Sequence, residues 1–265
     1  MLCFQIKRIL YIKMDTKFFQ TFGDWYLISI DIILTIGIIY FLKLSGSERS
    51  NSRYWLPFLI LAFTVCYENM GAYTNYNYEF KKSVNAFLGN TEFPRYNLWL
   101  FNIANMQVLT ILYLFLIKSW LVPSNKKYIN WMLIAFVVSS QIIQFSGIEP
   151  IYWFQPIIFT IGANMILVGS WLYFVGLMKN DAYLNSNPLR LTSFWQMTFI
   201  LFTYSLTYIN DVSKPYLVTY NYGLGISLSQ TETVMGCFNL AILVLTIASP
   251  KLPKLFEKEP FYGTD

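Results

Sequence analysis

Histidine is absent from all 265 residues, which removes the usual general base, the phosphorylated residue of a histidine kinase and the commonest metal and haem ligand. Charge is scarce as well. Only 12% of residues are Asp, Glu, Lys or Arg against 55% hydrophobic, a balance that a water-soluble globular domain would rarely show. The three cysteines, Cys3, Cys66 and Cys237, have no C-x-x-C spacing and two of them fall inside apolar runs. Neither a disulfide framework nor a zinc site is indicated, and they read as small hydrophobes. No cofactor is expected. The net charge of +5 comes from Lys and Arg scattered singly or in pairs, so it forms no patch for nucleic acid.

What the chain has in abundance is apolar length and aromatic rings, the latter 19% of all residues. Such rings are favoured where a helix leaves hydrocarbon for headgroups. Seven segments approach the ~20 residues needed to span a bilayer: Trp25 to Leu44, Tyr54 to Thr74, Asn97 to Lys118, Ile129 to Phe145, Ile151 to Met178, Thr192 to Asn210 and Gly225 to Ala248. The expected fold is an all-α membrane protein, a seven-transmembrane helix bundle over 25–248, with an N-terminal segment 1–24 and a tail 249–265. The largest loop, Asn75 to Tyr96, and the tail after Pro250 leave no room for a soluble domain. Met1 to Lys13 is too short and too basic for a cleavable signal peptide, and Met14 is a plausible alternative start.

Orientation follows from Lys and Arg, which are enriched in cytoplasmic loops. One side holds Lys43, Arg49, Arg53, Lys118, Lys126, Lys127, Lys179, Arg190, Lys251, Lys254 and Lys258. The other holds Lys7, Arg8, Lys13, Lys17, Lys81, Lys82, Arg95 and Lys214, of which the first three precede Met14. The expectation is a multi-pass protein of the inner membrane, N-terminus outside and C-terminus cytoplasmic.

Ionisable residues inside hydrocarbon cost about 2.5 to 3.5 kcal/mol on insertion scales, so each marks a candidate site. Asp31, Glu68 and Glu232 lie within spans that carry no internal Lys or Arg. Because alternate helices run in opposite directions, polar residues early in odd helices and late in even ones share a level. Asp31, Glu68, Asn102, Asn105, Gln144, Asn210 and Glu232 all obey this rule and fall in the outer half. Two interpretations remain open: a polar cavity for a cation, a proton or a polar ligand, or interhelical hydrogen bonds near headgroup level. Gly162, Gly169 and Gly176, seven residues apart, predict a close-packing face on the fifth helix.

Several seven-helix identities are excluded by residues. The last span has no lysine for a retinal Schiff base and no Asn-Pro-x-x-Tyr, and the third ends Ile117-Lys118-Ser119-Trp120 rather than in an acidic-Arg-aromatic triplet. Without histidine a rhomboid-like protease is excluded too. The runs Glu68-Asn-Met-Gly71-Ala-Tyr73 and Asn97-Leu-Trp-Leu-Phe101-Asn102-Ile103, then Pro188 and Phe194-Trp195, resemble a group of uncharacterised seven-helix integral membrane proteins from Bacteroidetes. That resemblance implies a bundle in the cytoplasmic membrane and brings no activity. The functional expectation is a sensor or accessory subunit working with the bilayer and with a signalling protein or other membrane partner. The alternative is a small-solute or proton-coupled transporter using the carboxylates, while an enzyme acting on lipid is least supported.

Overall fold

The computed structural model describes residues 16–183 and 186–260, all helix, turn and loop with no strand among them. Cys3, the basic residues before Met14, and Met14 itself lie outside the described residues. Seven long helices follow one another: α1 (Trp25–Leu42), α2 (Ser52–Tyr76), α3 (Leu98–Trp120), α4 (Pro123–Phe145), α5 (Pro156–Lys179), α6 (Thr192–Tyr220) and α7 (Tyr222–Ala248). Six of them are long and apolar enough to cross a membrane. The exception is α6, which at 29 residues is long enough but interrupts its apolar positions with Gln196, Asn210 and Asp211.

A helix in lipid cannot borrow water for its end groups, so each start needs a local partner. Asp24 accepts the Tyr26 amide at 2.8 Å, Asn51 the Arg53 amide at 3.0 Å and Asn221 the Leu224 amide at 3.2 Å. Pro123 and Pro156 open α4 and α5, where a missing N–H costs nothing. These caps account for the shifted boundaries. Helix α4 starts at Pro123 rather than Ile129, and α5 at Pro156 rather than Ile151, because residues before Pro are disfavoured in helix. Pro57 lies in the second turn of α2, since Asn51 starts that helix at Ser52.

Helix α3 is the centre of the bundle. Half of its most apolar window is buried inside the protein, against 17% for α1 and α4, so those two present most of their surface to surrounding lipid. Helix α4 packs chiefly on α3 and α5, whereas α1, α2, α3, α5, α6 and α7 form a ring closed by the contact of α7 with α1. The glycine face of α5 is where backbones come closest. A Cβ at Gly162 would lie 3.0 Å from Phe136 and from Thr110, and one at Gly169 would lie 3.1 Å from Ile129.

Towards the end where α1 finishes, the core is closed by apolar side chains, among them Leu114, Ile117, Trp120, Ile166, Leu243 and Ile247, all at most 1% exposed. The tail after α7 folds back over this end. Glu259 accepts the Ser193 amide at 2.8 Å, the Ser193 hydroxyl at 2.8 Å and the Thr192 hydroxyl at 3.1 Å. A tail carboxylate thus caps the N-terminus of α6. Burial pushes the Glu259 carboxyl up, outweighing these hydrogen bonds and the nearby Arg53.

The opposite end is covered by the segment between α2 and α3, which contains a ten-residue helix, Tyr78–Phe87. Asn85, fully buried, donates to the carbonyls of Lys81, Pro94 and Tyr96 at 3.1, 3.2 and 2.7 Å. Lys81 is buried beside it and donates to Asn75 at 3.0 Å. Desolvation, with Lys17 nearby, holds its ammonium below the ordinary lysine range.

Candidate functional site

Between α1, α2, α3, α6 and α7, in the half where α1 begins, lies a cavity of about 750 Å³. That volume is within the ordinary range for small-molecule sites, roughly 300 to 1,000 Å³. Its deep end is built from Tyr113 and Tyr204, whose rings meet edge to face at 5.4 Å. Asn239 on α7 donates to the Tyr113 hydroxyl at 2.8 Å, which ties α7 to α3. Nearer the mouth, the Asn210 amide on α6 donates to the Glu232 carboxylate on α7. Trp25, Tyr222, Asp24 and Asp211 surround the entrance region.

The wall leaves polar atoms unused. Among the described residues, six buried side-chain polar atoms have no hydrogen-bond partner, and three of them, Thr64 Oγ1, Thr203 Oγ1 and Asn239 Oδ1, belong to residues lining this cavity. A buried polar atom without a partner costs about 1 to 3 kcal/mol. Three of the six thus cluster on residues around one void, where unpaired buried polar atoms call for an explanation.

Helix α3 reaches the cavity through an irregularity. Asn102–Leu109 is a π-helix, whose i→i+5 bonding turns side chains out of the register of the flanking α-helix, a feature frequent at functional sites. Asn105 and Leu109 line the cavity from this segment. Asn102, at its start, is fully buried and donates to the carbonyls of Ile151 and Trp153. It anchors the turn ahead of α5 and does not line the cavity.

A second cavity of about 480 Å³ adjoins the first and shares Asp24, Tyr26, Tyr67 and Phe101 with it. Glu68 lines this smaller space and accepts the Tyr26 hydroxyl at 3.2 Å. The residues singled out from the sequence therefore divide. Asn105, Asn210 and Glu232 meet at the large cavity, and Glu68 faces its neighbour. Gln144 joins an amide cluster, accepting from Gln107 at 2.7 Å and Gln155 at 3.4 Å. Asp31 is exposed on α1, lines neither cavity, and accepts the Asn69 amide at 2.9 Å.

Glu149 is 5% exposed and accepts the Ile157 and Ile158 amides at 2.7 and 3.0 Å. It is the cap of α5. The tyrosines of the cavity, Tyr26, Tyr67, Tyr113 and Tyr204, were not among the expected site residues. Their signal was available in hydroxylated rings placed inside apolar spans, where the O–H must find a partner.

Among the described residues, the lining contains carboxylates at Asp24, Asp211 and Glu232 and no lysine or arginine. Among the described residues no group of three or more His, Cys, Asp or Glu could hold a metal ion. Compared with protein-family models, with curated proteins and with solved structures, the chain has no significant match.

Proposed function

We propose that this chain is a seven-pass protein of the inner membrane that acts as a sensor or accessory subunit, receiving a small ligand in the large cavity. In this reading the face at which α1 begins is outside and the tail is cytoplasmic. The observation that carries it is the unpartnered Thr64, Thr203 and Asn239 atoms around a void of about 750 Å³. Transmission would run through α6 and α7, which are joined across the cavity by Asn210 and Glu232 and at the far end by Gln196 and Thr246 at 3.3 Å. Gln196 also accepts the Trp120 indole N–H at 2.5 Å, and Arg53 stacks 4.9 Å above that ring while reaching the Pro260 carbonyl. A tilt of the α6–α7 pair would thus be felt at the tail, where a partner would read it.

The test is a broad ligand screen on the purified protein in nanodiscs, scored by unfolding temperature, joined to partner capture from native membranes under gentle detergent. A stabilising ligand and a recovered partner are expected. Absence of any ligand and recovery of the bundle alone would together remove the reading.

Transport is the second reading, favoured by one observation: Glu232 and Glu68 sit in adjoining cavities separated by Tyr26 and Tyr67. Against it, the buried core from Leu114 to Ile247 closes the other half of the bundle, and repeated halves around a midplane site are not evident. Reconstituted flux that depends on Glu68 and Glu232 would reverse the ranking.

A further inference from the structure

We infer that a slot between α6 and α7 at the tail end of the bundle holds an acyl chain of an anionic phospholipid, whose headgroup lies on Lys254 and Lys258. The inference rests on the chain spanning a membrane, which its six long apolar helices support, and neither on the large cavity nor on which face is outside. The slot has a volume of about 240 Å³ and is lined by Thr192, Trp195 and Phe199 of α6, Ile242, Leu245 and Thr246 of α7, and Phe256 of the tail. It opens outward. Met197 and Ile200 of α6 and Leu243 and Ile247 of α7 are fully buried in the core, whereas Leu245 is exposed, as are Phe202 and Phe238 further along the same two helices. The Phe199 and Phe238 rings lie 6.3 Å apart, so an apolar track continues from the slot away from the tail.

What fits the slot is hydrocarbon. Each side-chain donor on its wall is already engaged: the Thr192 hydroxyl donates to Glu259 at 3.1 Å, the Thr246 hydroxyl to the Ile242 carbonyl at 2.9 Å, and the Trp195 indole N–H to the Leu189 carbonyl at 2.9 Å. A polar ligand would bury its own groups there unpaired. A partner helix is too large, since a single turn about 10 Å across and 5.4 Å long exceeds the volume. A lipid chain is thin enough and is the solvent on that side of the bundle.

Charge selects the headgroup. Arg190 holds the tail against the start of α6, accepting the Glu257 amide at 2.9 Å on its carbonyl and donating to the Lys254 carbonyl at 3.3 Å. Phe256 is thereby seated at the tail end of the slot, with Lys254 and Lys258 two residues to either side. Around them Arg190 pairs with Glu257 at 3.0 Å and Lys251 with Glu48 at 3.6 Å, while Glu259 is engaged by Ser193. Lys254 and Lys258 are exposed and make no ion pair among the described residues. Two uncompensated cations thus stand where the phosphate of an inserted lipid would lie, and lysines at a membrane surface attract anionic lipid.

The probes are phosphatidylglycerol and phosphatidylcholine with identical chains, and glycerol phosphate, titrated against the full chain in detergent with bound molecules counted by native mass spectrometry. One phosphatidylglycerol is expected to be retained ahead of phosphatidylcholine, and glycerol phosphate not at all. Lys254→Gln with Lys258→Gln should cut that preference on the order of twentyfold, about fivefold for each lysine near a membrane surface. The same change at Lys126 and Lys127, at the start of α4, should leave it intact. Leu245→Trp, which fills the slot from its open side, should remove the retained lipid; should that variant fail to fold, the two lysine pairs, on exposed or half-buried positions, still decide. Equal retention of the two lipids, binding of glycerol phosphate, or an equal loss from the α4 lysines overturns the inference. The large cavity as a ligand site stands or falls separately, on the broad screen.

Discussion

Asn239 and Tyr113 hold each other across the bundle at 2.8 Å, and both face the large cavity. The pair is a strut between the last helix and the central one. Removing the phenol oxygen in Tyr113→Phe leaves the Asn239 amide wholly unpaired in a buried position. The expected cost is about 1 to 2 kcal/mol, read as a lowered unfolding temperature in detergent. An unchanged temperature would mean that water already serves Asn239.

Gly162 is an independent check on packing. A side chain there meets Phe136 and Thr110 at 3.0 Å, with helices on two sides and little space to yield. Gly162→Val should destabilise by about 1 to 3 kcal/mol through overpacking. Gly236, with nothing near its Cβ position, should tolerate alanine, and the difference between the two is the quantity to measure.

Glu149 supplies two hydrogen bonds to the start of α5. Glu149→Ala should cost about 1 to 2 kcal/mol, the upper part of the range for a lost helix cap. Glu149→Gln can accept only one of the two amides and should fall between. Thermal unfolding of the three proteins side by side gives the order.

The tail should be sensitive to pH through Glu259. Its carboxyl is raised above the ordinary 4.5 by burial, so the folded contact favours the protonated form. Stabilisation from this group is full below pH 4.5 and is lost as pH rises through the raised value. Limited proteolysis of the tail, corrected for the protease's own pH profile, should therefore quicken as pH increases across that window. A tail protected equally at every pH would contradict it.

The proposed orientation has its own measurement. With Cys3, Cys66 and Cys237 replaced by alanine, single cysteines at Glu92 and Ser124, both exposed, should be labelled from opposite sides by a membrane-impermeant thiol reagent. Glu92 is expected to react in intact cells and Ser124 only after lysis.

The helices were readable because long apolar runs admit little else, and their ends moved where a cap outranked hydropathy. Asn210 looked like the end of α6 because the polar residues after it resemble a loop, yet the helix continues to Tyr220 alongside α7. Alternating helix direction groups Asn105, Asn210 and Glu232, and all three line the large cavity. Facing was harder to read. Asp31 sits at a comparable helical depth but points away, and nothing in its spacing distinguishes it from Glu68. The π-helical stretch in α3 was illegible, since hydrogen-bond register leaves no periodic trace in residue type. Tyr113 and Tyr204 do not stand out in the sequence because aromatic rings occur throughout the chain.

One residue, Asn221, joins α6 to α7. So short a link leaves no slack for one helix to slide past the other, and the two are constrained to tilt together as a stiff hairpin of roughly 40 Å. A displacement of a few degrees at the tethered tip would sweep the opposite end sideways by an ångström or more, a built-in lever arm whose fulcrum is wherever α3 grips it.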